Sequence, residues 1–231
     1  MLTPFDWQEG IGHRAQYIES RLQTAVPVAA ASVPDGVLVA SYRHRSQKVY
    51  EIYDRIAFAG MGIQGDIEAI RVGSIDFCHS EGYRRSEEDV SVRRLVSAMS
   101  DPVKQAFGNF RAAPMVFRGL FVEVGLTRDQ DALYILDFDG DFGLKRTVAW
   151  LSGTQEGYDV LKKELEATDF SKINLDDACA VMREAVLKAM DPDGSKAADG
   201  ELPELSFEAA LLERNTTRER TFKFITKADE G

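Results

Sequence analysis

The sequence predicts an α+β fold of four layers, an αββα sandwich in which two stacked antiparallel sheets lie between outer helices. Helical patterns come in pairs between groups of strands, and the strands are separated by short turn sequences such as Pro34-Asp35-Gly36. The chain has 231 residues, of which 44% are hydrophobic, so it can bury a sizeable core without disulfides or metals. We therefore expect one domain across residues 1–231.

The first element predicted is a helix that precedes all the strands. Thr3 can cap it and Pro4 suits its first position. Apolar residues at helical spacing follow from Ile11 to Leu22, with polar residues between them. We expect this extra helix to cover residues 5–23.

Four strands and two helices are predicted next. The strands lie near residues 26–32, 37–40, 48–53 and 56–59, where apolar runs or alternating patterns end at turn residues. Helical spacing returns near residues 63–70 and again over 92–103, after a capping-box-like segment at 86–89. Pro102 is expected to bend or divide the second helix, because proline lacks an amide hydrogen.

The second half of the chain repeats this alternation. It predicts three strands near residues 116–124, 132–138 and 147–151, two helices over 155–165 and 174–186, and two last strands near 205–212 and 221–225. The acidic segment 191–204 is rich in Gly, Pro and Ala, and it is predicted to be a mobile loop.

Charge and cysteine content limit the classes of function. The formal net charge of -10 repels nucleic acid phosphates and anionic membrane surfaces, so we expect neither as a partner. No apolar stretch approaches the roughly 18 residues of a membrane span, and the N-terminus lacks a signal-peptide pattern. Cys78 and Cys179 form no C-x-x-C pair, which favours reduced thiols in the cytoplasm.

No motif in the sequence predicts a cofactor or a metal site. The three histidines have no ligand spacing, and no phosphate-binding glycine motif occurs. Residues 137–141, with the sequence DFDGD, resemble the nucleophile motif of haloacid-dehalogenase-type phosphatases, so a phosphatase built around Asp137 is one alternative. The motif lies too late in the chain for that chemistry, and Asp and Gly after a strand favour a hairpin turn.

Several segments in order resemble one protein family. Residues 46–59 (SQKVYEIYDRIAFA) place a lysine at the start of a strand, and 82–90 combine Gly-Tyr with an Arg- and Asp-containing helix start. Residues 202–215 and 222–226 complete the pattern as two last strands after an acidic loop. Over nearly its whole length the sequence resembles the α subunits of actinobacterial-type proteasomes.

The resemblance implies an architecture and a set of partners. Members of this family have the αββα sandwich of N-terminal nucleophile hydrolases, with an added N-terminal helix. Seven copies form a ring, and two such rings flank two rings of catalytic β subunits. By this resemblance residues 1–23 are the gate segment and helix at the ring face, and the chain has no catalytic residue of its own.

The resemblance also implies a docking site at Lys48, Gly62 and Ile63. In α subunits the matching lysine lies in a pocket between neighbouring subunits, where it pairs with the C-terminal carboxylate of an activator such as a ring ATPase. Gly62 and Ile63 match the turn that forms the other wall of this pocket. Leu22 stands where these proteins have a smaller residue, so we expect a narrower pocket.

An enzymatic alternative depends on Thr24. Catalytic β subunits use an N-terminal threonine, exposed by cleavage after glycine, whose hydroxyl is the nucleophile and whose amino group is the base. Here Gln23 precedes Thr24, and Tyr42 stands where the acidic partner is expected. The sequence therefore favours Thr24 as an ordinary strand residue, with a self-processing threonine peptidase as the alternative.

Overall fold

A computed structural model describes residues 4–195, 204–218 and 220–225, with side chains from Trp7 onward. Residues 1–3 of the predicted gate segment, including the predicted cap Thr3, lie outside the described residues. The same holds for residues 196–203, which are most of the predicted acidic loop.

The first half of the chain follows the predicted order. It contains α1 (Pro4–Leu22), β1 (Val28–Val33), β2 (Gly36–Arg43), β3 (Val49–Tyr53), β4 (Ile56–Gly62), α2 (Gln64–Arg84) and α3 (Val92–Gly108). Helix α3 continues through Pro102 without a break, so Pro102 does not divide it. The apolar residues of α3 before and after Pro102 pack against the same sheet. This packing stabilises the helix although the proline cannot donate a backbone hydrogen bond.

The second half contains one strand more than predicted. Its elements are β5 (Phe117–Glu123), β6 (Ala132–Leu136), β7 (Phe142–Lys145), β8 (Val148–Leu151), α4 (Gln155–Ala167), α5 (Leu175–Met190), β9 (Ser206–Glu213) and β10 (Phe222–Phe224). The additional strand is β7, all four residues of which are exposed. It has no buried face, so the sequence lacks the hydrophobic pattern by which the other strands are recognised.

The strands form two five-stranded antiparallel sheets. The first has the order β10-β9-β2-β1-β8 and the second the order β3-β4-β5-β6-β7. Strand β1 illustrates why the strand sequences are apolar on both faces. Val28 and Ala30 belong to the core between the sheets, whereas Ala29 and Ala31 belong to the core under α4 and α5. Helices α2 and α3 cover the outer face of the second sheet, and the predicted fold class is confirmed.

Helix α1 is anchored at both ends on the rest of the chain. Ile18 and Leu22 are buried in the core between the sheets. Near the other end, the rings of Trp7 and Phe110 meet edge to face at 4.7 Å, and the Arg14 guanidinium lies 5.3 Å from the centre of the Phe110 ring. A Cβ atom on Gly10 would lie only 2.8 Å from this ring. The loop after α3 therefore holds α1 against the sandwich.

The DFDGD segment is the turn between β6 and β7, as predicted. The Asp137 amide donates to the carbonyl of Asp141 at 2.8 Å, and the Gly140 amide donates to the carbonyl of Asp137 at 3.0 Å. Gly140 has a φ of +86°, which glycine adopts without strain. The Asp137 carboxylate pairs with Arg118 at 3.0 Å, and the Asp139 carboxylate accepts from the Asp141 amide. These carboxylates stabilise a turn and a neighbouring side chain.

A buried ion pair joins the two sheets. Asp131 is fully buried and Arg214 nearly so, and two guanidinium nitrogens of Arg214 donate to the two carboxylate oxygens at 2.7 and 2.8 Å. The same carboxylate accepts from the Ser32 hydroxyl at 2.6 Å and from the Gly125 amide at 2.8 Å. Four donors therefore satisfy the charge inside the protein.

Candidate functional site

Strand register brings Lys48, Gly62 and Ile63 to one end of the second sheet. Strands β3 and β4 are antiparallel, and Val49, the first residue of β3, pairs with Ala59 near the end of β4. Lys48 immediately precedes β3, and Gly62 is the last residue of β4. The start of one strand and the end of the other lie at the same sheet end, so these predicted site residues come together in the fold.

The backbone at Lys48 is held by a carboxylate from the other sheet. The amides of Lys48 and Val49 donate to the same oxygen, Oε1 of Glu208 in β9, at 2.9 and 2.7 Å. The Lys48 side chain is half-buried. Burial lowers the pKa of its ammonium, and the nearby Glu208 carboxylate opposes this by raising it. Lys48 thus carries a charge that is partly withdrawn from water.

The ammonium of Lys48 has no acceptor of its own within the part of the chain that the structure describes. No carboxylate or carbonyl there lies within hydrogen-bond or ion-pair distance of its Nζ atom. Partial desolvation strengthens the attraction of such an ammonium to an incoming anion. A carboxylate is a suitable partner, because the pair gains both charge attraction and hydrogen bonds.

Gly62 and Ile63 form a close turn into α2. Gly62 has a φ of +136°, and a Cβ atom there would lie 2.0 Å from the carbonyl oxygen of Val116. Only glycine fits this position. The Ile63 amide donates to that carbonyl at 2.9 Å, and its own carbonyl accepts from the Ile67 amide at the start of α2. The Ile63 side chain is 40% exposed, so an apolar surface lies at the same sheet end as Lys48.

Leu22, which was expected to narrow the docking pocket, lies at the end of α1. Its side chain is 1% exposed and belongs to the core between the sheets. The larger residue is accommodated because it points into the sandwich at the end of α1. The narrower pocket between subunits stays a prediction.

Thr24 lies in the turn between α1 and β1, not in a strand as predicted. It is exposed, and its hydroxyl donates to the carbonyl of Arg21 at 3.3 Å. Its amide nitrogen follows a packed helix and is part of a peptide bond. Tyr42 is buried at the end of β2, where its hydroxyl donates to the carbonyl of Arg183 at 3.4 Å and burial raises its pKa. Within the described residues, no side-chain base lies within hydrogen-bond distance of the Thr24 hydroxyl.

Glu208 is the site residue that sequence reasoning missed. It lies in the apolar run of β9, and it shares a strand face with Ala210 and Leu212, which belong to the core between the sheets. A single acidic residue on the inward face of a strand is unusual, because a buried carboxylate needs donors. This isolated acidic residue could have been noticed in the sequence. Its donors, the amides of Lys48 and Val49, could not have been predicted, because they come from the edge of another sheet.

The structure adds two observations about other kinds of site. Among the described residues, no group of three or more His, Cys, Asp and Glu side chains is arranged to hold a metal ion. No helix in the described ranges is long and apolar enough to cross a membrane.

A family model and several similar proteins all point to the same protein family. The family model described as proteasome subunit matches residues 23–202. A protein named proteasome subunit alpha from Jonesia denitrificans is 29% identical over 94% of this chain and 89% of its own length. Proteins of the same name from Frankia alni and Streptomyces scabiei are 27% and 26% identical, each over 97% of this chain and over 93% and 89% of their own lengths. The predicted resemblance is confirmed: the chain belongs to the proteasome subunit family, and it is of the α type.

Proposed function

We propose that this chain forms the outer ring of a proteasome core particle in the cytoplasm, assembled from copies of itself and bound to rings of a β subunit. In this proposal it does not cut peptide bonds. It controls entry of substrates and binds an activator, so that the particle degrades proteins. Membership of the α type supports the assembly, and the environments of Thr24 and Lys48 support the two remaining parts.

The environment of Thr24 supports a non-catalytic role. Its hydroxyl is directed to the Arg21 carbonyl, and its amide nitrogen is not a free amine that could accept a proton. We expect the intact mass of the purified chain to include the residues before Thr24, and we expect no peptide hydrolysis by the chain alone. A new N-terminus at Thr24, together with peptidase activity that Thr24→Ala abolishes, would establish the alternative function of a self-processing peptidase.

The observation that carries the docking role is the half-buried ammonium of Lys48, which has no acceptor among the described residues. An added anion would stabilise a charge in this state, and the C-terminal carboxylate of a ring ATPase is a compact anion of this kind. The close turn at Gly62 and the exposed Ile63 supply apolar surface at the same sheet end. Together they suit the last residues of an extended peptide.

The experiment compares Lys48→Ala with wild type in particles reconstituted with the β subunit and the activator. Losing one charge-assisted contact costs about 1.5–3 kcal/mol per site, and several sites act together on one ring. We expect activator pull-down and activator-dependent protein degradation to be lost, with activator-independent peptide hydrolysis retained. Lys48→Arg is expected to rescue only partly, because a planar guanidinium does not replace a compact ammonium.

Lys145→Ala is the matched control, because it removes an exposed lysine from β7 at the opposite edge of the same sheet. It is expected to behave like wild type in both assays. Activator binding by Lys48→Ala particles at the level of the Lys145→Ala control would refute the docking role.

A further inference from the structure

Resting on the proposed docking function, we infer that Glu208 is a positioning residue for Lys48. Its carboxylate fixes the backbone that carries Lys48, and it places a negative charge beside the half-buried ammonium that is to meet an incoming carboxylate. Glu208 itself does not contact the activator in this proposal. It acts only through Lys48.

The position of Glu208 makes it a bridge between the two sheets. It lies in β9 of the first sheet, where it pairs with Ser41 of β2. Its side chain is 4% exposed and points toward the start of β3 in the second sheet, where Val49 begins the strand and Lys48 precedes it. The start of β3 is thus tied to a different sheet through one side chain.

Both hydrogen bonds converge on one carboxylate oxygen. The amides of Lys48 and Val49 are consecutive, and a charged acceptor binds such donors roughly twice as strongly as a neutral one. The other oxygen, Oε2, forms an ion pair at 3.4 Å with Arg43, at the end of β2. The carboxylate is therefore held from both sides, and it ties down the backbone from which the Lys48 side chain extends.

The charge of Glu208 has a second effect on Lys48. Burial lowers the pKa of the ammonium, and Glu208 is the charged group that raises it. The other charges near this site come from separate elements. Arg43 pairs with Glu208, His44 and Arg45 lie in the exposed loop before Lys48, and Glu51 further along β3 faces Arg220.

The sign of the expected pH dependence follows from these charges. Docking needs protonated Lys48, so it is complete below the pKa of the ammonium and is lost as the pH rises through it. Removing the Glu208 charge lowers that pKa further. The loss of docking should therefore occur at lower pH than in wild type.

Three variants separate these effects. Glu208→Gln keeps the size and one oxygen acceptor for the two amides but removes the charge. Glu208→Ala removes both. Glu51→Gln is the matched control, because it neutralises a carboxylate in β3 that makes no contact with the Lys48 backbone. Ring assembly and the melting temperature are checked for each variant before binding is measured.

The probe is a fluorescently labelled octapeptide with the last eight residues of the ring ATPase encoded by the same genome, prepared as the free acid and as the C-terminal amide. Binding to assembled particles is followed from about pH 7 to about pH 10. In a second measurement, the rate at which acetic anhydride modifies Lys48 is followed over the same range by peptide mass spectrometry. This rate reports the free amine of Lys48 without any activator.

For Glu208→Gln we expect affinity for the free-acid peptide within about threefold of wild type at pH 7, with both pH profiles moved to lower pH. For Glu208→Ala we expect binding about tenfold weaker at pH 7 as well. Glu51→Gln should match wild type in both measurements.

The outcomes distinguish the inference from the function on which it rests. Equal binding of the acid and amide peptides to wild type, or unchanged binding to Lys48→Ala, would refute the docking function itself. Binding that depends on Lys48, with both pH profiles unchanged in Glu208→Gln, would overturn the inference and leave the docking function standing.

Discussion

Neutralising Asp131 is expected to destabilise the whole sandwich. The carboxylate is fully buried and accepts four hydrogen bonds, two of them from Arg214. The change Asp131→Asn keeps the shape of the side chain but replaces one acceptor oxygen by an amide group. That group faces donors, and the guanidinium of Arg214 remains buried without its counter-charge.

The magnitude follows from this geometry. Removing one partner of a buried ion pair costs about 3–5 kcal/mol, because the remaining charge is uncompensated. For a chain of this length each kcal/mol lowers the melting temperature by about 2–4 °C. We therefore expect the melting temperature of Asp131→Asn to fall by roughly 6–20 °C. Adding Arg214→Met should cost less than it does alone, with a coupling of about 2 kcal/mol.

The assay is denaturant and thermal unfolding of wild type, both single variants and the double variant at one protein concentration. Asp101→Asn, an exposed carboxylate on α3, is the control and should change stability by less than about 0.5 kcal/mol. The ion pair lies where β1 and β9 end, whereas Glu208 contacts Lys48 near the start of β9. Variant particles that remain folded should therefore still bind an activator normally.

Two results would contradict this reasoning. A loss below about 1 kcal/mol for Asp131→Asn would mean that the buried charge is compensated in another way. Strictly additive costs in the double variant would mean that Asp131 and Arg214 do not stabilise each other.

Three further predictions concern the gate, the first helix and a buried thiol. Deleting residues 1–6 from assembled particles should raise small-peptide hydrolysis, because it removes the chain terminus ahead of α1 together with the first residues of the helix, and chain termini are suitable gates; an unchanged rate in intact particles would contradict gating. Phe110→Ala should cost about 1–2 kcal/mol and speed hydrogen exchange in the half of α1 near Trp7, since it removes the edge-to-face pair and the cation–π contact with Arg14; unchanged exchange there would show that Ile18 and Leu22 alone hold the helix. Burial raises the pKa of Cys78 to about 12, so roughly one thiol in ten thousand is ionised at pH 8 and iodoacetamide should label it only after unfolding; rapid labelling of the folded chain would contradict this burial.

The sequence alone was sufficient to predict the helices and strands that have a buried face. Periodicity identified α1 and the paired helices, because their apolar residues recur on one side, and it identified every strand with a buried face. It also identified the turn at residues 137–141, because Asp and Gly are suited to its backbone. Strand β7 has no buried residue, so its sequence shows no hydrophobic pattern that could predict it. It is held in the sheet by its pairing with β6.

The candidate site was predictable only in part. Residue type and order marked Lys48, Gly62 and Ile63, because they resemble a family pattern. The steric need for glycine at position 62 depends on the carbonyl of Val116, more than fifty residues away. The placement of Thr24 in a turn, and of Leu22 in the core, depends on how α1 meets the first sheet.

Local sequence therefore determined which segments are helices and strands and which residue types are available for docking. Tertiary structure decided which of those residues meet. Glu208 reaches the backbone of Lys48 across 160 positions of sequence, and Asp131 meets Arg214 across 83. Such contacts are set by sheet order and packing between layers, whereas periodicity records only whether a side chain is buried and not what it is buried against.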